Sequence, residues 1–294
     1  MPPAPPQTAS GTAAPEQAAS QCPLRFERVT LRFDDVLALD DVSFQVAAGE
    51  TRVLLGAAGS GKTTLLKAAI GLVRIDSGRI FLLGDDITKV KERELFPKRA
   101  RVGVLFQEGG LFDSMTVAEN VSYPLLNRQS RQAVTAENAA TRVQNMLRFV
   151  ELEQTLDKFP SELSGGMRRR VGIARAVVTE PPLVLYDSPT AGLDPITANT
   201  IMTLIAKERD IRNTANLIVT HRYQDGQLMA KFRYNPQSGQ LERVAHNGSE
   251  GNRGSQGKTV FMVMKEGRVA FEGTQGELEA SRDEYLSKFV PKRR

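Results

Sequence analysis

Apolar and polar residues alternate in two stretches near the start of the chain, Leu24–Phe33 and Val42–Val46. Successive side chains of a strand point to opposite faces, so this period of two predicts half-buried antiparallel strands. Later stretches are short apolar runs, which are typical of strands buried on both faces of a parallel sheet. These runs are Thr51–Leu55, Arg101–Phe106, Leu183–Tyr186 and Leu217–Thr220.

The apolar spacing changes to a helical period between Asp113 and Phe159. Within it, Val117–Val121 and Ala139–Val150 predict amphipathic helices. A further helix is predicted over 171–178, ended by the two prolines that follow. Strands that alternate with helices indicate an α/β domain with a parallel sheet covered on both sides. The helical stretch, about 110–175, is then a subdomain inserted between the strands.

Composition sets the two ends of the chain apart from its middle. Residues 1–22 hold almost no large apolar residue and predict a disordered leader before a domain at 23–290. Residues 231–258 are a hydrophilic insertion whose glycine-rich part, 247–257, is expected to be mobile. A surface hairpin is expected for this insertion, with a contact to a regulator or partner as the alternative. Beyond it, the pattern predicts a hairpin over 259–271 and a closing helix over 277–289.

Charge and cysteine content narrow the class of protein. The 294 residues carry a formal net charge of +5, and basic residues are scattered except at 168–170 and 292–294. This scatter predicts solvated surface and no nucleic-acid partner. The single cysteine, Cys22, excludes a disulfide within the chain and fits a reducing compartment. No apolar run approaches the ~20 residues of a membrane span, so a soluble cytoplasmic protein is expected.

A glycine-rich segment directly follows the Thr51–Leu55 run. It opens into a predicted helix over 65–70 and reads Gly56-Ala57-Ala58-Gly59-Ser60-Gly61-Lys62-Thr63-Thr64. Strand, glycine loop and helix in this order are the context of a phosphate-binding loop, whose N–H groups surround an anion. Lys62 would then reach the β- and γ-phosphates of a nucleotide, and the Thr63 hydroxyl would complete a Mg²⁺ shell. A plain glycine turn explains the glycines but not the Lys-Thr pair.

Two further residues are candidates for the same site. Asp187 follows the Leu183–Tyr186 run, at the strand edge beyond which ligands of open α/β sheets bind, so it is a candidate Mg²⁺ ligand. The alternative for Asp187 is a turn cap. Phe33, in the turn between the first two strands, is a candidate to stack on an adenine ring, and an ordinary core position is the alternative.

A second glycine-containing motif reads Leu163-Ser164-Gly165-Gly166-Met167-Arg168-Arg169-Arg170. Its Ser-Gly-Gly would open a helix with free N–H groups and a hydroxyl. Such a start is either an anion site or only a helix cap.

In this order the motifs resemble those of ATP-binding cassette (ABC) ATPases, over about 24–273. Besides the Lys62 loop, the resemblance is carried by Leu163–Gly166, the strand ending at Asp187, Ala191-Gly192-Leu193-Asp194, His221 and Gln107. It implies the P-loop NTPase fold of an ABC-type nucleotide-binding domain. That fold has a mostly parallel core sheet, an N-terminal antiparallel β subdomain and an inserted helical subdomain.

The resemblance also implies ATP and Mg²⁺ as cofactors, bound in a head-to-tail dimer with the same chain or a paralogue. Ser164, Gly165 and Gly166 of one subunit would face the γ-phosphate held by Lys62 of the other. Gln107 would sense Mg²⁺, His221 would contact the γ-phosphate, and Asp194 would connect the two sites. As a bare residue, His221 is more often a structural histidine.

A narrower resemblance is to the ATPase subunits of MCE/Mla-type lipid transporters. The stretches on which this resemblance depends are Leu105–Val117, Glu119–Val121, Tyr123–Leu125, Pro160–Met167 and Asp194–Thr197. It implies a subunit peripheral on the cytoplasmic face of the inner membrane, with an integral membrane permease and an MCE-type substrate-binding protein as partners. The permease is expected to meet the helical subdomain near 107–124.

One position departs from the family pattern. Where that pattern has Asp then Glu, this chain has Asp187 then Ser188. The Glu is the usual candidate to polarise the attacking water, and general-base assistance is worth roughly 10²- to 10⁴-fold in rate. Either hydrolysis persists slowly, with His221 and Gln107 positioning water, or the protein binds ATP and dimerises with hardly any turnover. An ATP-driven transport subunit is therefore expected, with a non-transport ABC scaffold or a degenerate regulatory subunit as alternatives.

Overall fold

The computed structural model describes residues 22–127, 135–244 and 258–291. The predicted leader, apart from Cys22, and the predicted mobile stretch at 247–257 lie outside the described residues. The strands are β1 Leu24–Phe33, β2 Val36–Val46, β3 Thr51–Gly56, β4 Ser77–Leu82, β5 Asp85–Asp86, β6 Val102–Leu105, β7 Leu183–Asp187, β8 Ala215–Val219, β9 Phe232–Asn235, β10 Gln240–Arg243, β11 Thr259–Lys265 and β12 Arg268–Gly273.

The described helices lie between the strands and after the last strand. They are α1 Lys62–Ala69, α2 Glu92–Arg99, α3 Val117–Leu126, α4 Ala136–Phe149, α5 Gly165–Val177, α6 Pro195–Arg212, α7 Tyr223–Lys231 and α8 Gln275–Ala280. Single 3-10 turns occupy Gln107–Gly109, Glu153–Thr155, Pro160–Glu162 and Leu286–Lys288. Within the described residues, no helix has both the length and the apolar character needed to cross a bilayer.

The central sheet has the strand order β12-β11-β3-β8-β7-β6. Its neighbouring strands are parallel except for the β11–β12 hairpin. A separate antiparallel sheet has the order β2-β1-β4-β5. The mostly parallel sheet and the N-terminal antiparallel sheet confirm the predicted fold class. Because β3, β6, β7 and β8 are parallel, the loops after them meet at one edge of the sheet.

The central sheet separates two layers of apolar packing. On one face, Leu54 and Leu185 pack with residues of α1 and of the antiparallel sheet, such as Leu65 and Phe26. On the other face, Tyr186 and Ile218 pack with the helices α3 to α6. Val53 and Phe261 belong to a third cluster, which includes Leu286 of the C-terminal segment. The burial of these strands on both faces explains why their sequence is continuously apolar.

Helices α3, α4 and α5 lie within or overlap the predicted helical subdomain. Thr116 and Glu119 form a capping box that starts α3, which satisfies backbone donors of its first turn. The Thr135 side chain accepts a hydrogen bond from Asn138 N at the start of α4. The domain bounds and the subdomain bounds of 110–175 stay a prediction.

Two predictions about the end of the chain have different outcomes. The described part of the hydrophilic insertion is a two-stranded hairpin of β9 and β10, as predicted. The single closing helix over 277–289 is wrong, because α8 ends at Ala280 and a separate turn follows at Leu286–Lys288. The chain becomes extended at Ser281, and Asp283 then caps the new turn, since its Oδ1 accepts from Tyr285 N at 2.7 Å and Leu286 N at 2.9 Å.

Candidate nucleotide site

The glycine-rich loop joins β3, which is buried along its whole length, to α1. Gly61, directly before α1, has φ +99°, and a Cβ there would lie 2.3 Å from Ala38 O. Gly56 has φ +154°, and its Cβ would lie 2.7 Å from Met264 O. Side chains are therefore excluded at both ends of the loop, which must pass close to neighbouring backbone.

Lys62 is enclosed by its own loop. Its Nζ donates to Gly56 O at 3.0 Å, Ala57 O at 2.7 Å and Ser60 Oγ at 3.2 Å, and the residue is 5% exposed. Burial lowers the pKa of the Lys62 ammonium, and the nearby Asp187 carboxylate opposes this shift. Two loop carbonyls and the Ser60 hydroxyl thus hold the ammonium inside the glycine loop, in the position of the lysine of a phosphate-binding loop.

Asp187 ends β7 and lies beside the start of α1. Thr63 Oγ1 and Asp187 Oδ2 are 3.5 Å apart, and Asp187 is 9% exposed. A hydroxyl and a carboxylate are oxygen ligands of the kind that Mg²⁺ takes, together with phosphate oxygens and waters. The donor set therefore fits the predicted Mg²⁺ site.

The side chain of Ser188 contacts the carboxylate of the preceding residue, Asp187. Its backbone has φ +52°, its N donates to Val219 O at 2.8 Å, and its Oγ donates to Asp187 Oδ1 at 3.2 Å. The hydroxyl therefore satisfies the carboxylate of Asp187. A hydroxyl in this role cannot act as a general base by itself.

Gln107 and His221 follow β6 and β8, the two strands that flank β7 in the central sheet. Gln107 starts the 3-10 turn after β6, and His221 follows Thr220 at the end of β8. Both residues are exposed. Their contacts with Mg²⁺ and the γ-phosphate stay predictions.

The Ser-Gly-Gly motif opens α5, as predicted. Ser164 is the N-cap, and its side chain accepts from Met167 N at 3.3 Å. A Cβ at Gly166 would lie 2.6 Å from Thr197 Cγ2, and one at Gly165 would lie 3.9 Å from Leu193 Cδ2. The structure thus brings the motif against the start of α6.

Asp194 is the N-cap of α6. Its Oδ1 accepts from Ile196 N and Thr197 N, both at 3.0 Å. Hydrogen bonds from the Thr197 side chain and backbone lower the pKa of the Asp194 carboxyl. The predicted role of this exposed aspartate in linking two sites stays a prediction, as does the role of Ser164, Gly165 and Gly166 toward a γ-phosphate.

Phe33 is the last residue of β1 and pairs with Val36 rather than lying in the turn itself. Its side chain is 47% exposed, so the core alternative is wrong. The same hairpin carries Ala38, whose carbonyl lies next to Gly61. The Phe33 ring is therefore on a hairpin that borders the phosphate loop, and adenine stacking stays a prediction.

Three residues that sequence reasoning missed hold the loops of this site. Arg169 of α5 donates from Nη1 to Ser188 O at 2.6 Å and from Nη2 to Ala191 O at 3.0 Å. Asp225 of α7 accepts from Thr190 Oγ1 and Thr220 Oγ1, both at 2.6 Å. Burial raises the pKa of the Asp225 carboxyl, and the two threonine hydroxyls oppose this shift.

The third missed residue is Tyr285, in the C-terminal segment. Its hydroxyl accepts from Ala57 N at 3.3 Å and donates to Met264 O at 2.8 Å. Two of the three had a sequence signal, which was their position: Arg169 stands in the basic run of the Ser-Gly-Gly motif, and Asp225 stands one turn after His221.

The sheet, the Lys62 loop and the Thr63–Asp187 pair define a P-loop nucleotide-binding domain. The family model described as ABC transporter matches residues 39–191. The chain belongs to this family, and its nucleotide-binding domain is an ABC ATPase domain, the cassette that binds ATP with Mg²⁺.

Similar proteins agree with this assignment. The chain is 37% identical over 209 residues to the methionine import ATP-binding protein MetN of Rhizobium johnstonii, covering 71% of this chain and 57% of that protein. It is 39% identical over 193 residues to the probable ribonucleotide transport ATP-binding protein mkl of Mycobacterium leprae, covering 66% of this chain and 55% of that protein. The chain therefore spans little more than half the length of these relatives.

A solved structure matches more of the chain. The dimeric post-hydrolysis state of the ATP-binding cassette MJ0796, bound to ADP and Pi, superposes with a TM-score of 0.69 at 26% identity. The match covers 85% of this chain and 98% of that one.

Proposed function

We propose that this chain is the ATP-binding and ATP-hydrolysing subunit of an ABC transporter and powers transport through a separate membrane permease. The observation that carries the proposal is the buried Lys62 ammonium inside its loop, with the Thr63–Asp187 oxygen pair beside it. Catalysis in such a site is mostly positioning and charge stabilisation. Lys62 binds phosphate oxygens, Thr63 and Asp187 hold Mg²⁺, and Gln107 and His221 orient the attacking water.

The two sites of such a subunit would be completed in a dimer. Ser164 and Asp194 are exposed at the starts of two adjoining helices, α5 and α6. The start of α5 carries the backbone N–H groups of Gly165 and Gly166 and partial positive charge, which suit a phosphate group from a neighbouring subunit. At the start of α6, Asp194 itself takes up the Ile196 and Thr197 N–H groups. MJ0796, which shares this fold, is itself a dimer in its solved structure.

An apolar surface on the helical side supports a permease partner. Phe112 and Tyr123 are exposed and their ring centroids are 4.8 Å apart, and Phe106 lies next to Gly110 in the same region. Exposed aromatic side chains that lie together mark a protein–protein contact more often than single scattered ones. Permease docking at this patch would place the partner's movement beside Gln107.

Lipid transport of the MCE/Mla type is the finer part of the proposal, with an MCE-type substrate-binding protein in the same system. It is supported by the stretches around 105–125 and 160–167, which are similar to the ATPase subunits of those systems. The matched relatives carry the names of methionine and ribonucleotide systems. A direct comparison of substrates is therefore part of the test.

The experiment is Mg²⁺-dependent ATP turnover by the purified chain and three variants. Lys62→Ala should abolish turnover, because the phosphates lose their buried charge. Lys67→Ala, which removes an exposed lysine from the same helix, is the matched control and should leave turnover unchanged. Ser188→Glu should raise turnover by about 10²-fold or more, since it restores a carboxylate that can act as general base.

Three results would count against parts of the proposal. Equal turnover in wild type and Lys62→Ala would rule out this site. ATP binding without turnover in the wild type would favour an ATP-gated regulatory subunit. In the copurified permease complex, stimulation by methionine or ribonucleotides but not by phospholipid vesicles would reject the lipid assignment.

A further inference from the structure

Asp225 lies where two loops of the candidate site meet. It is 2% exposed, and both hydroxyls that bond it reach the same oxygen, Oδ2, at 2.6 Å. Oxygen–oxygen distances of 2.5–2.7 Å are typical of hydroxyls donating to an ionised carboxylate, and such bonds are roughly twice as strong as neutral ones. The Arg222 guanidinium supplies the nearest opposite charge, with Nε 3.8 Å from Asp225 Oδ1.

The first hydroxyl belongs to Thr190, two residues after Ser188. Thr190 is 1% exposed, so its hydroxyl has no access to bulk water in place of Asp225. The same loop is also held by Arg169 of α5, which bonds Ser188 O and Ala191 O. The backbone after Asp187 is therefore fixed between α5 and α7.

The second hydroxyl belongs to Thr220, directly before His221. Thr220 Oγ1 also accepts from Arg222 N at 3.0 Å, which closes a turn with His221 at its centre. Thr220 N donates to Leu54 O of β3 at 3.1 Å. The backbone on both sides of His221 is thus pinned through a hydroxyl that Asp225 orients.

We propose that Asp225 is a positioning residue for ATP hydrolysis. Through Thr220 and Thr190, Asp225 connects the His221 turn to the loop after Asp187. The proposal rests on the proposed function of the site and adds the element that sets the place of His221. In a site where Ser188 supplies no general base, the placement of His221 carries more of the orientation of water. A displacement of about 1 Å of such a group costs roughly 10²-fold in rate.

The test uses Thr190→Val, which removes one hydroxyl with little change in shape, and Asp225→Asn, which removes the charge. Thr214→Val is the matched control. Thr214 is also 1% exposed, and its hydroxyl also donates to a buried carboxylate, Glu208 Oε1 at 2.8 Å, away from this site. Thr190→Val should lower kcat by about 10- to 100-fold and leave ATP affinity unchanged, whereas Thr214→Val should change neither.

Two readouts separate positioning from general destabilisation. In a His221→Ala background, Thr190→Val should cause no further loss of kcat, because its effect acts through His221. In ¹⁵N-histidine-labelled protein, with the His221 signal assigned by His221→Gln, Thr190→Val and Asp225→Asn should shift or broaden the imidazole signal.

The histidine spectra test the proposal even if the wild type does not hydrolyse ATP. Such a lack of hydrolysis would contradict the proposed function alone. Thr190→Val losses that multiply with those of His221→Ala would overturn the proposal. An unmoved His221 signal in both variants would overturn it as well.

Discussion

Glu208, on α6, is a carboxyl group with no exposed surface. Thr214 Oγ1 donates to its Oε1. Tyr186 is buried in the same region, and burial, with a smaller contribution from the charge of Glu208, raises the pKa of the Tyr186 hydroxyl. Burial raises the pKa of the Glu208 carboxyl from 4.5 to about 7, against the opposing effects of Thr214 and Arg212. The folded protein therefore holds a proton here that the unfolded chain releases.

This shift predicts a loss of stability as pH rises. Below pH 4.5 the carboxyl is protonated in both states. Between pH 4.5 and about 7 the unfolded chain loses the proton first, so the free energy of unfolding falls. The full effect is about 3 kcal/mol, and it is complete above the folded pKa.

The measurement is urea unfolding of wild type and Glu208→Gln across this pH range. Gln keeps an acceptor for Thr214 but does not titrate, so the variant should gain stability relative to wild type as pH rises. Glu94→Gln, at an exposed position of α2, is the control and should follow the wild type. A constant difference between Glu208→Gln and wild type at every pH would contradict the assignment.

At the scale of elements, the contact between α5 and α6 depends on one glycine. A Cβ at Gly166 would lie 2.6 Å from Thr197 Cγ2, closer than side-chain carbons approach, whereas a Cβ at Gly165 meets its nearest atom at 3.9 Å. Alanine is otherwise favoured over glycine in a helix by up to about 1 kcal/mol. The two adjacent glycines should therefore respond in opposite ways.

Gly166→Ala should lower the melting temperature, and Gly165→Ala should leave it unchanged or raise it. Adding Thr197→Ser to Gly166→Ala removes the clashing methyl group and should restore most of the loss. Equal melting temperatures for the two single variants would show that the helices adjust without strain.

The elements with a strong apolar pattern were predictable, and those without one were not. The buried strands and the phosphate loop follow from local sequence. Helix α2 contains Pro97 and buries only Leu95, so it carries no apolar stripe. Helix α6 buries Glu208 and Arg209, which interrupt its apolar periodicity.

The residues of the candidate site also fall into predictable and unpredictable groups. Lys62, Thr63 and Asp187 were predicted because they belong to short motifs that directly follow predicted strands. Asp225 and Thr190 are 35 positions apart, and their bond depends on how α7 packs beside the loop after β7. Tyr285 meets Ala57 from 228 positions away. No local pattern predicts contacts of this kind.

At the scale of the whole molecule, the proposed head-to-tail dimer predicts complementation between two inactive variants. Lys62→Ala removes the phosphate ligand, and Ser164→Arg places a bulky side chain at the exposed start of α5. Each variant alone should be inactive, because each site would need Lys62 of one copy and Ser164 of the other.

In an equal mixture, random pairing makes half of the dimers mixed, each with one intact site. Turnover should then recover to about a quarter of the wild-type value per chain. No recovery in a mixture that exchanges subunits would indicate that both residues act within one copy.

The order of strands in the central sheet has a consequence for synthesis of the protein. Strand β3, which leads into the phosphate loop, is flanked by β8 and β11, with Thr51 paired to Asn216 on one side and to Thr259 on the other. Both partners come from the last third of the chain. A ribosome therefore releases the loop sequence long before either flanking strand exists, and contacts so distant in sequence form slowly. Nucleotide binding should appear only after β11 has left the ribosome, so that a nascent chain stalled before that point should bind chaperones and not ATP.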